Sequence, residues 1–124
     1  MLKTIDPGVI IILGGPEVSY EHDQQSIIHS VDYVINGTAD KAFREICESL
    51  LSGSRPFNKI IQPLQFDLAD IKLPYDYYND EDVANRISYV EASRGCPVNC
   101  EFCLSALDQT VYHFDLVLFL AEMD

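Results

Sequence analysis

The sequence contains no tryptophan, few basic residues and no long hydrophobic run. Eight lysines and arginines stand against twenty aspartates and glutamates, which gives a formal net charge of −12 over 124 residues. Such a surface repels phosphate backbones and anionic lipid headgroups, so we expect no nucleic acid and no membrane as partner. The longest apolar runs, 9–13 and 116–121, fall well short of the roughly 20 residues that span a bilayer.

The N-terminus also lacks the apolar core of a signal peptide. We therefore expect a cytoplasmic, reducing location, where clustered cysteines indicate metal or redox chemistry rather than structural disulfides. A hydrophobic content of 48% and a charged content of 23% are typical of a folded globular chain. The length is short of a full barrel enzyme, which needs roughly 200 residues or more.

The first half of the chain has the pattern of an α/β layer. Residues 9–13 form a continuous β-branched run, which is typical of a strand buried on both faces in a parallel sheet. The run ends at Gly14, Gly15 and Pro16, which favour a tight turn. A second short strand is predicted over 32–35.

Two helices are predicted around this second strand, over 20–30 and over the residues that follow Thr38 or Asp40. The second helix is the clearer one because its apolar residues recur at helical spacing: Phe43, Ile46, Cys47, Leu50 and Leu51. Cys47 lies in this apolar stripe, so we interpret it as a core residue rather than a ligand.

Residues 54–87 contain three prolines and an acidic, tyrosine-rich stretch, and we interpret them as a solvated connector with one short strand over 59–61. The alternating pattern of 87–91 predicts another strand. A cysteine-rich loop follows, and the apolar segment 114–123 is predicted to be helical.

Three of the four cysteines stand in one loop with the spacing C-x3-C-x2-C: Cys96, Cys100 and Cys103. Three thiolates so close together can wrap one compact inorganic centre, either an iron–sulfur cluster or zinc. Structural zinc sites usually take four ligands in two C-x2-C pairs, and only one such pair exists here. The spacing therefore favours iron and sulfur.

Residues 93–103 resemble the signature of the radical S-adenosylmethionine enzymes, in which an aromatic residue, here Phe102, precedes the last cysteine. The Arg-Gly-Cys-Pro start at Arg94 is similar to the subgroup that carries an N-terminal cobalamin-binding domain. Two earlier segments, 12–17 and 32–37, resemble late strands of that domain and the glycines that follow them. The resemblance covers most of residues 9–116.

The resemblance implies a [4Fe–4S] cluster ligated by Cys96, Cys100 and Cys103, with S-adenosylmethionine on the fourth iron. One-electron reduction would cleave the sulfonium to methionine and a 5′-deoxyadenosyl radical, which acts on an unknown substrate. Phe102 would pack near the adenine or shield the cluster. Gly14, Gly15 and Pro16 would contact cobalamin, the further candidate cofactor, which in such proteins often carries a methyl group.

The sequence departs from the family pattern in three places that matter. The acidic pair expected after Gly37 is replaced by Thr38-Ala39-Asp40, and neither His22 nor His29 lies in the motif that supplies a lower ligand to cobalt. Histidine-ligated cobalamin is therefore not predicted. Barrel strands that would bind the rest of the substrate are also absent from this sequence, so we expect a piece spanning the junction of two domains.

The predicted fold is thus α/β: a partial Rossmann-like parallel sheet of cobalamin-binding type, then the first βα unit of a radical S-adenosylmethionine partial TIM barrel. We predict the end of the cobalamin-binding-like domain over 1–54, the connector over 55–86 and the start of the radical domain over 87–124. The expected activity is that of an oxidoreductase or methyltransferase supplied with electrons by a flavodoxin or ferredoxin. The alternatives are a non-catalytic α/β module that self-associates through exposed edges, or a simple electron-transfer protein.

Overall fold

A computed structural model describes residues 2–64, 67–104 and 109–123 of the chain. The chain divides into two compact units, Met1–Gln65 and Phe66–Asp124. The boundary between these units lies within the predicted connector, at two residues outside the described ranges. The assignment of the segments to particular domains stays a prediction.

The first unit is a small α/β layer. Its elements are α1 (Leu2–Ile5), β1 (Ile12–Gly14), α2 (Pro16–Ser19), β2 (Tyr33–Ile35), α3 (Asp40–Leu51) and β3 (Ile60–Ile61). The three strands form one sheet in the order β1-β2-β3, and both pairings are parallel. The expectation of an α/β fold with a parallel sheet is therefore confirmed.

The strand buried on both faces is β2, at the centre of the sheet, whereas burial on both faces was predicted for the run 9–13, whose strand β1 lies at the sheet edge and is only partly buried. On one face Val34, fully shielded from solvent, packs with Val18 and Ile28. On the other face Ile35 packs with Ile46 of α3. Side chains of a strand alternate between faces, so three consecutive apolar residues fill two separate core clusters.

Helix α3 presents part of its predicted stripe to this core. Ile46 is buried and Cys47 is half-buried against the same cluster, which agrees with the interpretation of Cys47 as a core residue. Phe43 and Leu51 of the predicted stripe are exposed instead. Ala39, rather than Thr38 or Asp40, occupies the N-cap position of this helix, and it makes no side-chain capping hydrogen bond.

Two elements of the first unit differ from the prediction. The strand expected over 9–13 is confined to β1, because the Asp32 carboxylate accepts the Ile11 N–H at 2.8 Å before the ladder begins. The helix expected over 20–30 is wrong: two short 3₁₀ helices, His22–Gln24 and Ser26–Ser30, take its place. Glu21, at φ +48°, interrupts any continuous α-helix there.

The second unit has little regular structure. Two 3₁₀ turns, Leu68–Asp70 and Tyr75–Tyr77, precede its remaining elements. These are α4 (Asp80–Asn85), β4 (Ser93–Arg94), β5 (Tyr112–His113) and α5 (Leu116–Ala121). Strands β4 and β5 pair antiparallel, so the βα unit predicted over 87–124 takes the form of a small hairpin followed by a helix.

The strand predicted over 87–91 is not formed. Its backbone is held instead by two tyrosine side chains: the Tyr75 hydroxyl accepts the Glu91 N–H at 2.6 Å, and the Tyr78 hydroxyl donates to the Tyr89 carbonyl at 3.2 Å. The two rings are stacked, with centroids 6.4 Å apart. Hydroxyl groups thus satisfy backbone groups that a neighbouring strand would satisfy in a sheet.

The acidic stretch of the predicted connector contains a capped helix. Asn79 accepts the Asp82 N–H at 2.9 Å, and the Asp82 carboxylate reaches back to the Asn79 N–H at 3.4 Å, which is a capping box. The side chain of Asp82 also pairs with Arg86 at 2.9 Å. Acidic residues in the first turn suit the positive end of the helix dipole, so this stretch is an ordered element rather than an open linker.

Helix α5 is apolar but mostly exposed. Leu116, Val117 and Leu118 face solvent, whereas Phe119 meets the buried Tyr75 ring edge-on at 6.2 Å. Among the described residues, no helix is both long and apolar enough to cross a membrane.

Candidate functional site

The three clustered cysteines lie in the loop between β4 and β5. Cys96 and Cys100 are half-buried and Cys103 is exposed, and none of them is in a disulfide. The Cys103 N–H donates to the Cys100 carbonyl oxygen at 3.1 Å, which closes a turn over Glu101 and Phe102. The described part of the loop thus carries three thiols within the eight residues 96–103.

Gly95 fixes the start of this loop. Its φ of +97° lies in the left-handed region, and a Cβ atom at this position would collide with the Thr110 carbonyl oxygen. Because only glycine fits both conditions, the hairpin backbone can close directly before Cys96. Sequence reasoning included Gly95 in the motif but gave it no structural role; the positive φ and the close approach are visible only in the fold.

Arg94 anchors the hairpin on the other side of Gly95. Its Nε donates to both carboxylate oxygens of Glu91 at 3.0 Å, and its guanidinium carbon lies 5.8 Å from the centroid of the buried Phe114 ring. This combination of ion pair and cation–π contact holds the segment before the cysteines against β5. Arg94 and Glu91 therefore position the loop that carries the candidate ligands.

The donor set fits an iron–sulfur cluster by its chemistry, since thiolates are the ligands that such clusters use. Within the described residues, no three His, Cys, Asp or Glu side chains converge closely enough to share one metal ion. In a cubane each thiolate binds a different iron, so its ligands stand farther apart than those around a single ion.

Phe102 is 94% exposed and stands at the tip of the Cys100–Cys103 turn. In this conformation it shields none of the three thiols from water. Its role beside a cofactor stays a prediction, and it requires the ring to turn inward when the cofactor binds.

Gly14, Gly15 and Pro16 lie where β1 ends and α2 begins, at the carboxyl edge of the parallel sheet. Gly15 has φ +109°, and a Cβ placed on it would meet no atom within 4 Å. The Ser19 hydroxyl donates to the Gly15 carbonyl and accepts the Gly37 N–H, both at 2.8 Å. The Ser19 hydroxyl thus joins the loops that follow β1 and β2.

Asn36 is an additional candidate that the sequence interpretation missed. It follows β2 at the same edge, is only 8% exposed, and its Nδ2 lies 3.2 Å from Nδ1 of His22. Its Oδ1 has no hydrogen-bond partner among the described atoms. A buried acceptor without a donor is costly, and the carboxyl ends of parallel strands are where α/β sheets bind ligands. The signal available in the sequence was a polar residue directly after a buried strand.

Asp32 stands at the opposite end of β2 and has a structural role. Its carboxylate pairs with Lys3 at 2.6 Å and accepts the Ile11 N–H, and these bonds hold the pKa of Asp32 below its usual value. The Lys3 hydrogen bond is the larger cause and the Ile11 amide the second. This carboxylate joins α1, the segment before β1 and the start of β2.

No protein-family model matches the chain, and no solved structure matches it significantly. Among curated proteins the chain is similar to an uncharacterised methyltransferase of Pyrococcus horikoshii, with 27% identity over 127 aligned positions. The alignment covers 85% of this chain and 27% of the relative, so the chain spans about a quarter of the length of the curated relative that it matches. The relationship is distant, and these comparisons identify neither a radical S-adenosylmethionine family nor a cobalamin-binding family.

Proposed function

We propose that this chain is part of a radical S-adenosylmethionine protein in which Cys96, Cys100 and Cys103 hold a [4Fe–4S] cluster. The observation that carries the proposal is the C-x3-C-x2-C run placed on one loop, with none of its cysteines in a disulfide. The distant relationship to an uncharacterised methyltransferase supports S-adenosylmethionine as the ligand class. When bound, the cluster supplies the electron that cleaves the sulfonium of S-adenosylmethionine.

The chain's own residues prepare the loop for this task. Gly95 allows the turn out of β4, and the Arg94–Glu91 pair with Phe114 fixes the hairpin below the cysteines. Two of the three thiols are half-buried, which limits the access of water to their side of the loop. Phe102 is proposed to turn inward over a bound ligand and to exclude water from its other side.

Methyl transfer assisted by cobalamin is the proposed extension of this activity. Gly15 leaves open space at the carboxyl edge of the sheet, and Asn36 offers a buried acceptor there. Cobalamin carries many amide groups that can donate a hydrogen bond, so Gly14, Gly15 and Pro16 are proposed to face it with Asn36 beside them. A flavodoxin or ferredoxin is the proposed electron donor.

A non-catalytic module that self-associates is the second candidate, and the exposed apolar residues of α5 favour it. Light scattering of the iron-free chain tests this candidate. A dimer or larger species that dissociates when Leu118 is replaced by Glu supports it, whereas a monomer at all concentrations rejects it. A simple electron-transfer protein is disfavoured because a ferredoxin-type cubane takes four cysteines.

Anaerobic reconstitution with iron and sulfide tests the main proposal. We expect about four irons per chain, as a cubane requires, and loss of most of that iron in Cys100→Ala. Cys47→Ala is the matched control, because Cys47 packs in the core of the first unit, and it should retain the iron. Iron that is bound equally by both variants, or by neither and not by the wild type, contradicts the proposal.

A further inference from the structure

Two of the three loop cysteines are placed for a bond to each other. The hydrogen bond from the Cys103 N–H to the Cys100 carbonyl, at 3.1 Å, is the i to i+3 bond of a β-turn. In such a turn the Cα atoms of the first and last residues stand less than about 7 Å apart. Disulfides join residues whose Cα atoms are about 4.4–6.8 Å apart, so the turn already meets the backbone requirement.

The exposure of the two residues also favours a reaction with a dissolved oxidant. Cys103 is exposed and Cys100 is half-buried, and Phe102 between them faces solvent instead of covering either sulfur. Cys96 directly follows Gly95, whose backbone lies close to the Thr110 backbone at the base of the hairpin. Cys47 is packed against the core of the first unit.

We propose that Cys100 and Cys103 are a redox modification site, in which they form a reversible disulfide when no metal cluster occupies the loop. With oxidised glutathione as the oxidant, the Cys103 sulfur attacks the glutathione disulfide and one glutathione leaves. The Cys100 sulfur then attacks the mixed disulfide and the second glutathione leaves. Two S–H bonds break and one S–S bond forms, and the two electrons and two protons end on two molecules of glutathione.

The consequence for the loop rests on the proposed function. A Cys100–Cys103 disulfide removes two of the three proposed ligands, so the oxidised chain cannot take up a cluster until it is reduced. The same turn therefore has two exclusive chemical states, thiols that bind metal and a disulfide that does not. Cluster loading would then depend on the thiol–disulfide balance around the protein.

Mass spectrometry of the iron-free chain tests the proposal. After treatment with oxidised glutathione, we expect the mass to fall by about 2 Da, from the loss of two hydrogens, and peptide mapping to join Cys100 to Cys103. Of the four cysteines, two should remain open to alkylation, and dithiothreitol should restore all four. Cys96→Ser and Cys47→Ser should still form the bond, and Cys103→Ser should not.

Several results would overturn the proposal: four alkylatable thiols after oxidation, a lasting glutathione adduct, or a bond that involves Cys96 in the wild type. The outcome is separable from that of the iron experiment, because the disulfide is measured without iron. A chain that forms the bond but never binds iron contradicts the cluster alone. A chain that binds iron but never forms the bond contradicts this inference alone.

Discussion

Each of the two units of the chain is stabilised internally by a different kind of contact. Among the described residues, eight of the ten buried hydrophobic side chains belong to the first unit, and only Tyr75 and Phe114 belong to the second. The first unit is stabilised by a strand that fills two core clusters. The second is stabilised by individual polar contacts: Tyr75 and Tyr78 bond to backbone groups, and Arg94 pairs with the Glu91 carboxylate.

This difference determines which kinds of substitution destabilise each unit. Apolar burial is spread over many contacts and depends on volume, so a methylene lost from the first core is costly. A unit organised by single hydrogen bonds depends instead on a few particular atoms. The candidate cysteines lie in the second unit, so their loop depends on such single contacts.

The largest effect is expected from a cavity in the first core. Ile35→Ala removes a side chain that is 1% exposed, and we expect the free energy of unfolding to fall by roughly 2–5 kcal/mol. The control Ile87→Ala, at a residue 81% exposed in the second unit, should change it by less than about 0.5 kcal/mol. Urea denaturation followed by circular dichroism measures both, and equal effects would contradict the contrast between the units.

The next effect concerns the hairpin below the cysteines. Gly95→Ala combines a left-handed backbone with a collision against Thr110, and we expect a loss of roughly 2–4 kcal/mol. Gly53→Ala is the matched control, since Gly53 has φ +85° but open space around it, and it should cost about 1–2 kcal/mol. Hydrogen exchange of the Phe114 amide, which bonds to the Ala92 carbonyl, reports on the hairpin. Unchanged exchange in Gly95→Ala would show that the close approach does not hold the hairpin.

A smaller effect tests whether tyrosine hydroxyls replace a strand. Tyr75→Phe keeps the ring but removes the acceptor of the Glu91 N–H, which should cost about 1 kcal/mol. Exchange of the Glu91 amide should then accelerate about fivefold. Tyr77→Phe, whose ring is exposed, should leave that amide unchanged. If the Glu91 amide exchanges at the same rate in both variants, the Tyr75 hydroxyl does not hold this segment.

The smallest effect is the pH dependence of the stability that the Asp32 carboxylate contributes through Lys3 and the Ile11 N–H. The pKa of Asp32 is lowered in the folded chain, so its contribution is present above the unfolded value of about 3.9 and is lost as pH falls through the lower folded value. Since the pair is partly exposed, we expect up to about 1 kcal/mol. Urea unfolding at a series of acid pH values should show that Asp32→Asn flattens this dependence. Identical acid profiles for Asp32→Asn and the wild type would refute this role.

The fold of the first unit was largely predictable because its signals are local. The short apolar segment within 32–35 and a helical stripe indicated β2 and α3, and both are present. The strand expected over 87–91 failed because its alternating pattern carries no information about Tyr75 and Tyr78, which take the place of a partner strand. Such substitutes come from distant parts of the sequence.

The candidate site shows the same distinction between features that local sequence predicts and features that depend on distant segments. The spacing of Cys96, Cys100 and Cys103 is a local pattern, so the sequence alone indicated which residues to test. The contact between Gly95 and Thr110 and the buried Asn36 beside His22 depend on chain segments that meet only in the fold. Their contributions could not be read from spacing.

The central claim is that the loop holds a cluster that binds S-adenosylmethionine. The most direct measurement is electron paramagnetic resonance of the reconstituted and reduced chain, recorded with and without S-adenosylmethionine. We expect the signal of a reduced [4Fe–4S] cluster that changes shape when S-adenosylmethionine is added and is absent in Cys100→Ala. A chain that shows no such signal, or one that S-adenosylmethionine leaves unchanged, would contradict it.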